Sequence, residues 1–67
     1  MNDEKLLRIS SKRYISVNEY KGMQLVSIRE YYEQDGRLKP STKGISLTKH
    51  QWKMLKEHIY KIDRLLK

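Results

Sequence analysis

The sequence predicts an α+β domain, a curved four-stranded antiparallel β-meander followed by one C-terminal α-helix, and it predicts that the domain dimerises. Three observations carry this expectation. The first half of the chain is rich in β-formers that alternate with polar residues between the turn signals Lys21-Gly22 and Asp35-Gly36. From Thr48 onward the apolar period lengthens, with Trp52, Leu55, Ile59, Ile62 and Leu66 spaced three, four, three and four apart. Finally, 67 residues without cysteine make one small domain that disulfides cannot reinforce, which leaves very good packing or burial against a second copy as the means of stabilisation.

Residues 1–5 read as a short mobile tail and residues 6–67 as the folded domain. From Leu6 to Tyr20, Ile15 and Val17 alternate with Tyr14, Ser16 and Asn18, as in a half-buried strand, with Ser10-Ser11 marking a bend or bulge. Lys21-Gly22 is the first hairpin turn. The second strand runs from about Met23 to Glu33, with Val26 and Ile28 on one face and Leu25, Ser27, Arg29 and Tyr31 on the other. Gln34-Asp35-Gly36 is the second turn, and Asp-Gly is the strongest short-range signal in the chain. Arg37 to Pro40 forms a short strand with the proline at its end or at a sheet edge. Ser41 to Gly44 then turns into a fourth strand, Ile45 to Leu47.

The helix opens on a capping box, Thr48 at the N-cap and Gln51 three residues on. It should run for roughly 18 residues, about 27 Å at 1.5 Å per residue. Its single apolar stripe has the spacing of a coiled-coil seam, so it can cover the sheet and pack against a second copy. Trp52, Leu55, Ile59, Ile62 and Leu66 are therefore the expected dimer contacts.

Catalysis finds little support. His50 and His58 stand eight apart with no suitably placed carboxylate, so no metal site is expected. None of the serines lies in a nucleophile-elbow context, and Lys43-Gly44 lacks the glycine-rich loop of a nucleotide site. No enzyme activity and no cofactor are predicted. No apolar run reaches the ~18 residues of a membrane span. The polar, acidic opening Met1 to Lys5 does not read as a signal peptide, which sets the expectation of an intracellular protein.

The charge balance points elsewhere. A net charge of +7 on 67 residues favours a polyanionic partner. Between Asp35 and Glu57 there is no acidic residue, while Arg37, Lys39, Lys43, Lys49, Lys53 and Lys56 fall there. Lys12, Arg13, Lys21 and Arg29 lie on or beside the first hairpin, interleaved with Tyr14, Tyr20, Tyr31 and Tyr32. Cations that track a backbone, with rings on which unpaired bases stack, are what single-stranded nucleic acid requires. Each tyrosine can equally be explained as strand packing, and Lys49, Lys53 and Lys56 are read as solvating the helix.

The runs Arg13-Tyr-Ile-Ser-Val, Tyr20-Lys-Gly, Ile28-Arg-Glu-Tyr-Tyr, Lys39-Pro and Lys43-Gly-Ile-Ser-Leu, followed by Gln51-Trp52, closely resemble the C-terminal single-stranded-DNA-binding domain of the positive cofactor four family of transcriptional coactivators. The match runs in order from about Leu7 to the end. It implies a homodimer that holds single-stranded or melted DNA through backbone contacts and stacked bases, with weak sequence preference. Position by position, it implies Tyr20 and Lys21 as a hairpin contact, and Arg29 and Tyr32 as strand arginine and stacking aromatic. Lys39 and Lys43 match the basic pair about the proline, and Trp52 the helix core. Asn18, Met23 and Thr42 stand where the family often carries a basic residue. The serine- and lysine-rich N-terminal region of metazoan members is expected to be absent.

The expected DNA-binding set is thus Lys12, Arg13, Tyr20, Lys21, Arg29, Tyr32, Lys39 and Lys43. The expected partners are single-stranded or melted DNA, a second copy and the transcription machinery, with action in transcription, replication or repair and no membrane role. RNA binding by the same sheet and a protein–protein adaptor are the alternatives. The site of action is the nucleus in a eukaryote, or cytoplasm and nucleoid in a bacterial or viral setting. Strict alternation puts Tyr32 on the Val26 and Ile28 face, away from Arg29, and a bulge near Glu30 to Tyr32 or strong curvature would reconcile the two.

Overall fold

The computed structural model of the chain describes residues 6–66; the tail expected at 1–5 lies outside them. Strands β1 (Leu7–Arg8), β2 (Arg13–Tyr20), β3 (Met23–Gln34) and β4 (Arg37–Thr48) form one antiparallel sheet in the order β1-β2-β3-β4. Helix α1 (Lys49–Leu65) follows directly and contacts β3 and β4. The class and strand count agree with expectation, but the strands are divided differently.

Two differences stand out. Leu7–Arg8 is a strand of its own, paired with Ile15 and Tyr14. The chain reverses through Ser10, whose hydroxyl accepts from the amides of Lys12 at 3.4 Å and Arg13 at 3.0 Å. A serine side chain thus completes the turn that the sequence showed only as a bend. Downstream, Arg37–Pro40 and Ile45–Leu47 are not separate strands, and no hairpin turn separates them. They are the two ends of β4, joined by a bulge. Arg29 pairs with Gly44 and Tyr31 with Pro40, so Ser41, Thr42 and Lys43 together face only Glu30. The Ser41 hydroxyl accepts from the Lys43 amide at 3.0 Å and closes the excursion.

The two tight turns are as read. Lys21-Gly22 (φ 52° and 79°) and Asp35-Gly36 (φ 56° and 77°) have both central residues at positive φ. That is the mirror-image turn whose twist matches a hairpin, and glycine accepts it without a Cβ penalty. Pro40 lies on the edge strand, where its missing N–H costs no ladder bond on the outer side. Gly44 has a different reason to be glycine. A Cβ there would sit 2.6 Å from the Ile28 carbonyl oxygen and 2.7 Å from Arg29 Cα, so β3 and β4 approach too closely for any side chain.

Register sorts the sheet into two faces. Ile15, Val17, Val26, Ile28, Ile45 and Leu47 form apolar cross-strand rows; Tyr14, Ser16, Asn18, Ser27, Arg29 and Ser46 lie on the other side. The capping box forms in both directions. Thr48 Oγ1 accepts from the Gln51 amide at 3.1 Å, and Gln51 Oε1 accepts from the Thr48 amide at 3.0 Å. Along the helix stripe, Trp52 and Leu55 are half-buried, whereas Ile59 and Ile62 stay 48% and 45% exposed. Leu66 is past the helix, an extended C-cap. Among the described residues no apolar side chain is buried; Ser16 and Ser27 are the buried pair. The radius of gyration, 13.6 Å, exceeds the about 11 Å of a compact chain of this length. The described residues form an open sheet-and-helix layer rather than a closed core.

Candidate nucleic-acid interface

The tyrosines divide into two kinds. Tyr14 and Tyr31 meet edge to face, centroids 5.3 Å apart at 75°, and both are half-buried, with the Arg8 guanidinium 6.0 Å from the Tyr14 centroid. Their rings are occupied with packing. Tyr20 and Tyr32 are 58% and 48% exposed and have area to offer. Tyr20 ends β2 and carries the Lys21 ammonium 5.4 Å from its ring centroid. Lys21 sits in the left-handed turn conformation, so this cation and ring are set side by side by the hairpin itself.

Arg29 lies on the polar face and is held in two directions. Nη1 donates to the Ser41 carbonyl at 3.2 Å and Nη2 to Ser46 Oγ at 3.3 Å. Both acceptors are on β4, one at the start of the bulge and one beyond it, so the side chain bridges the irregular segment. Ser46 Oγ is 3.3 Å from Ser27 Oγ, which in turn donates to Asn18 Oδ1 at 3.2 Å. A continuous row of polar groups therefore crosses three strands on the face that Tyr20 shares.

The remaining candidates are distributed around this row. Lys39 is the cross-strand partner of Tyr32, and Lys43 closes the bulge. The register shift falls between Arg29 and Tyr31, within the region where the sequence called for a bulge. Its extra residues belong to β4, however, so in residue order Tyr32 keeps the row of Val26 and Ile28. Tyr32 nevertheless lines a surface depression together with Lys12, Tyr14 and Tyr31. The Lys12 carbonyl accepts from the Tyr31 amide at 2.8 Å, which ties two of its lining residues together. Arg13 is placed differently. Its Nη2 is 3.0 Å from Glu30 Oε2 across β2 and β3, on the apolar side, so its charge faces a carboxylate there. Of the eight candidates, Arg29 bonds into the polar row, Tyr20 stands at the hairpin end of the same face with Lys21 beside it, Lys12 and Tyr32 line the depression with Lys39 opposite Tyr32, and Lys43 lies in the bulge.

The polar row itself was not singled out in the sequence. Ser16, Ser27 and Ser46 alternate with apolar residues as any strand serines would, and only register shows that Ser27 and Ser46 are opposite one another. Among the described residues there is no group of three or more His, Cys, Asp or Glu side chains that could hold a metal ion.

The family model described as Transcriptional Coactivator p15 (PC4) matches residues 7–58. The chain belongs to the PC4 family. Its PC4 relatives include the RNA polymerase II transcriptional coactivator KELP of Arabidopsis thaliana, 47% identical over 62 residues that make up 92% of this chain and 38% of KELP. The RNA polymerase II transcriptional coactivator of Drosophila melanogaster is 41% identical over 54 residues, 81% of this chain and 49% of that protein. The chain thus spans between about a third and a half of these two PC4 relatives. Among solved structures, the crystal structure of a MoSub1 complex with single-stranded DNA superposes with a TM-score of 0.87 at 38% identity, covering 94% of this chain and 76% of that one. The four antiparallel strands and C-terminal helix are therefore the PC4 fold.

Proposed function

We propose that this PC4 domain is a homodimeric single-stranded-DNA-binding module of a transcriptional coactivator, acting on melted DNA. One observation carries the reading. The fold that MoSub1 presents to single-stranded DNA is reproduced here, and its sheet leaves the rings of Tyr20 and Tyr32 exposed beside Lys21 and Lys39. Exposed rings accept unpaired bases irrespective of sequence, and the cations beside them follow the phosphates. In this reading Tyr20 and Tyr32 stack, while Lys12, Lys21, Arg29, Lys39 and Lys43 supply positive charge along the strand. Arg13, already paired with Glu30, contributes less.

The dimer follows from what one subunit leaves uncovered. Ile59 and Ile62 on the helix are about half exposed, as are Val17 and Ile45 on the apolar side of the sheet. A second copy that buries them supplies the core a single subunit lacks. Relatives that are RNA polymerase II coactivators support action in a eukaryotic nucleus, with the polymerase machinery as a further partner.

Titration of a fluorescent single strand of about 20 nucleotides and of the matching duplex over a salt series tests the reading. Tighter single-strand binding that weakens with salt is expected. Equal affinity for the two, or indifference to salt, would overturn it.

A further inference from the structure

The reversal between β1 and β2 contains two serines with different tasks. Ser10 Oγ accepts from the amides of Lys12 and Arg13, so its hydroxyl belongs to the turn. Ser11 is exposed, and among the described residues its side chain makes no hydrogen bond. Its neighbours along the chain are cations, Arg8 three residues before it and Lys12 and Arg13 directly after. A protein kinase with an acidic substrate cleft selects such a pattern, because each cation meets a carboxylate of the enzyme. The segment can also be presented to that cleft as an extended chain. β1 is two exposed residues at the edge of the sheet, paired only with Ile15 and Tyr14. Leu7 and Ile9 are already more than half exposed, so peeling this edge away breaks a few bonds and opens no core.

We propose that Ser11 is a phosphorylation site for a serine kinase of this acidic-cleft class, and that its phosphate closes the neighbouring depression to single-stranded DNA. In the transfer, Ser11 Oγ attacks the γ-phosphorus of ATP, ADP leaves, and the hydroxyl proton passes to the base of the kinase.

The closing of the depression rests on the single-strand reading above. Ser11 lines the same depression as Lys12 and Tyr32. The lining holds two cations, Arg8 and Lys12, and two carboxylates, Glu30 and Glu33, so its formal charge is balanced. A phosphate adds about −1.5 to −2 charge and three acceptor oxygens. Arg8 already reaches across the reversal, its Nε donating to the Ser10 carbonyl at 3.1 Å, so its guanidinium stands close to the next residue. A Ser11 phosphate takes up Arg8 and Lys12 and leaves the depression negative, which repels the phosphates of a strand. Tyr20 and Lys21, at the β2–β3 hairpin, are outside the lining and keep their contacts.

Two measurements test the proposal. The full chain is incubated with ATP and a purified kinase that prefers arginine three residues before serine, and the phosphate is mapped by mass. Phosphate on Ser11 is expected, lost in Ser11→Ala and slowed about tenfold or more in Arg8→Ala, the worth of a charge-assisted hydrogen bond. No incorporation, or incorporation on Ser10 instead, overturns the site. Chain carrying phosphoserine in place of Ser11 is then compared with unmodified chain for single-strand affinity over a salt series. The modified chain should bind at least about fivefold more weakly, the share of one stacked base, with a salt slope lower by at least about 0.7. Tyr32→Ala should weaken the unmodified chain and leave the modified one unchanged, whereas Tyr20→Ala should weaken both. Equal affinity of the two forms, or a Tyr32→Ala loss undiminished by the phosphate, overturns the closing of the depression. Unmodified chain that binds no single strand overturns the nucleic-acid reading and the closing with it, while the site itself is decided by the mapping.

Discussion

Arg29 Nη1 donates to the Ser41 carbonyl at 3.2 Å, so the middle of β3 holds the first residue of the β4 bulge. The bulge carries Lys43 and is flanked by Lys39, which makes Arg29 a support for two other cations as well as a charge of its own. Arg29→Ala should therefore lower the salt slope of single-strand binding by more than the ~0.7 that one lost phosphate contact removes. Arg29→Lys keeps the charge but loses the two-pronged geometry. Hydrogen exchange of the Lys43 amide, bonded to Ser41 Oγ in the wild type, should quicken in both variants.

Gly44→Ala should destabilise the sheet by about 1–3 kcal/mol. The added methyl meets backbone, the Ile28 carbonyl at 2.6 Å and Arg29 Cα at 2.7 Å, and neither can rotate away. Urea unfolding of the two proteins measures the difference. Gly44 is not at positive φ, so the loss comes from the close approach alone.

The tyrosines should separate by readout. Tyr20→Ala and Tyr32→Ala are expected to weaken single-strand binding by about 1–3 kcal/mol each with little change in the unfolding midpoint. Tyr14→Ala and Tyr31→Ala should do the opposite, losing stability through the edge-to-face pair, worth about 0.5–1.5 kcal/mol beyond its buried area. A double-mutant cycle on Tyr14 and Tyr31 isolates that pair.

Ile59→Lys and Ile62→Lys should yield monomer or unfolded chain in sedimentation. Each places an ammonium where the isolated subunit exposes about half of an isoleucine, and a dimer that buries the site must desolvate the charge. A folded dimer of normal mass for both variants would exclude the helix stripe as the interface.

Much of this architecture was legible because its causes are local. Thr48 and Gln51 satisfy one another's amides within one turn of chain, and Asp35-Gly36 reverses direction with two residues at positive φ. Features that depend on a partner far along the chain were not. Pro40 read as a strand end and Ser41 to Gly44 as a turn, yet they continue one strand, because Arg29 and the Ser41 hydroxyl together stabilise a three-residue bulge. Leu7–Arg8 is too short for any period to reveal; its pairing with Ile15 and Tyr14 depends on the reversal at Ser10. The candidate cations were visible in composition, but the pairing of Arg13 with Glu30, seventeen residues on, was not.

β4 is an edge of the sheet, and an uncovered edge invites another chain to add a strand and begin an aggregate. Pro40 removes one donor from that row, the Ser41–Lys43 excursion interrupts it, and Lys39 and Lys43 charge it. These are the devices by which sheet proteins keep their margins from being extended. Replacing Pro40, Lys39 and Lys43 with β-branched residues would leave a longer, flatter and less charged margin. The changed protein should then be lost first to fibrils, before any loss of nucleic-acid affinity could be measured.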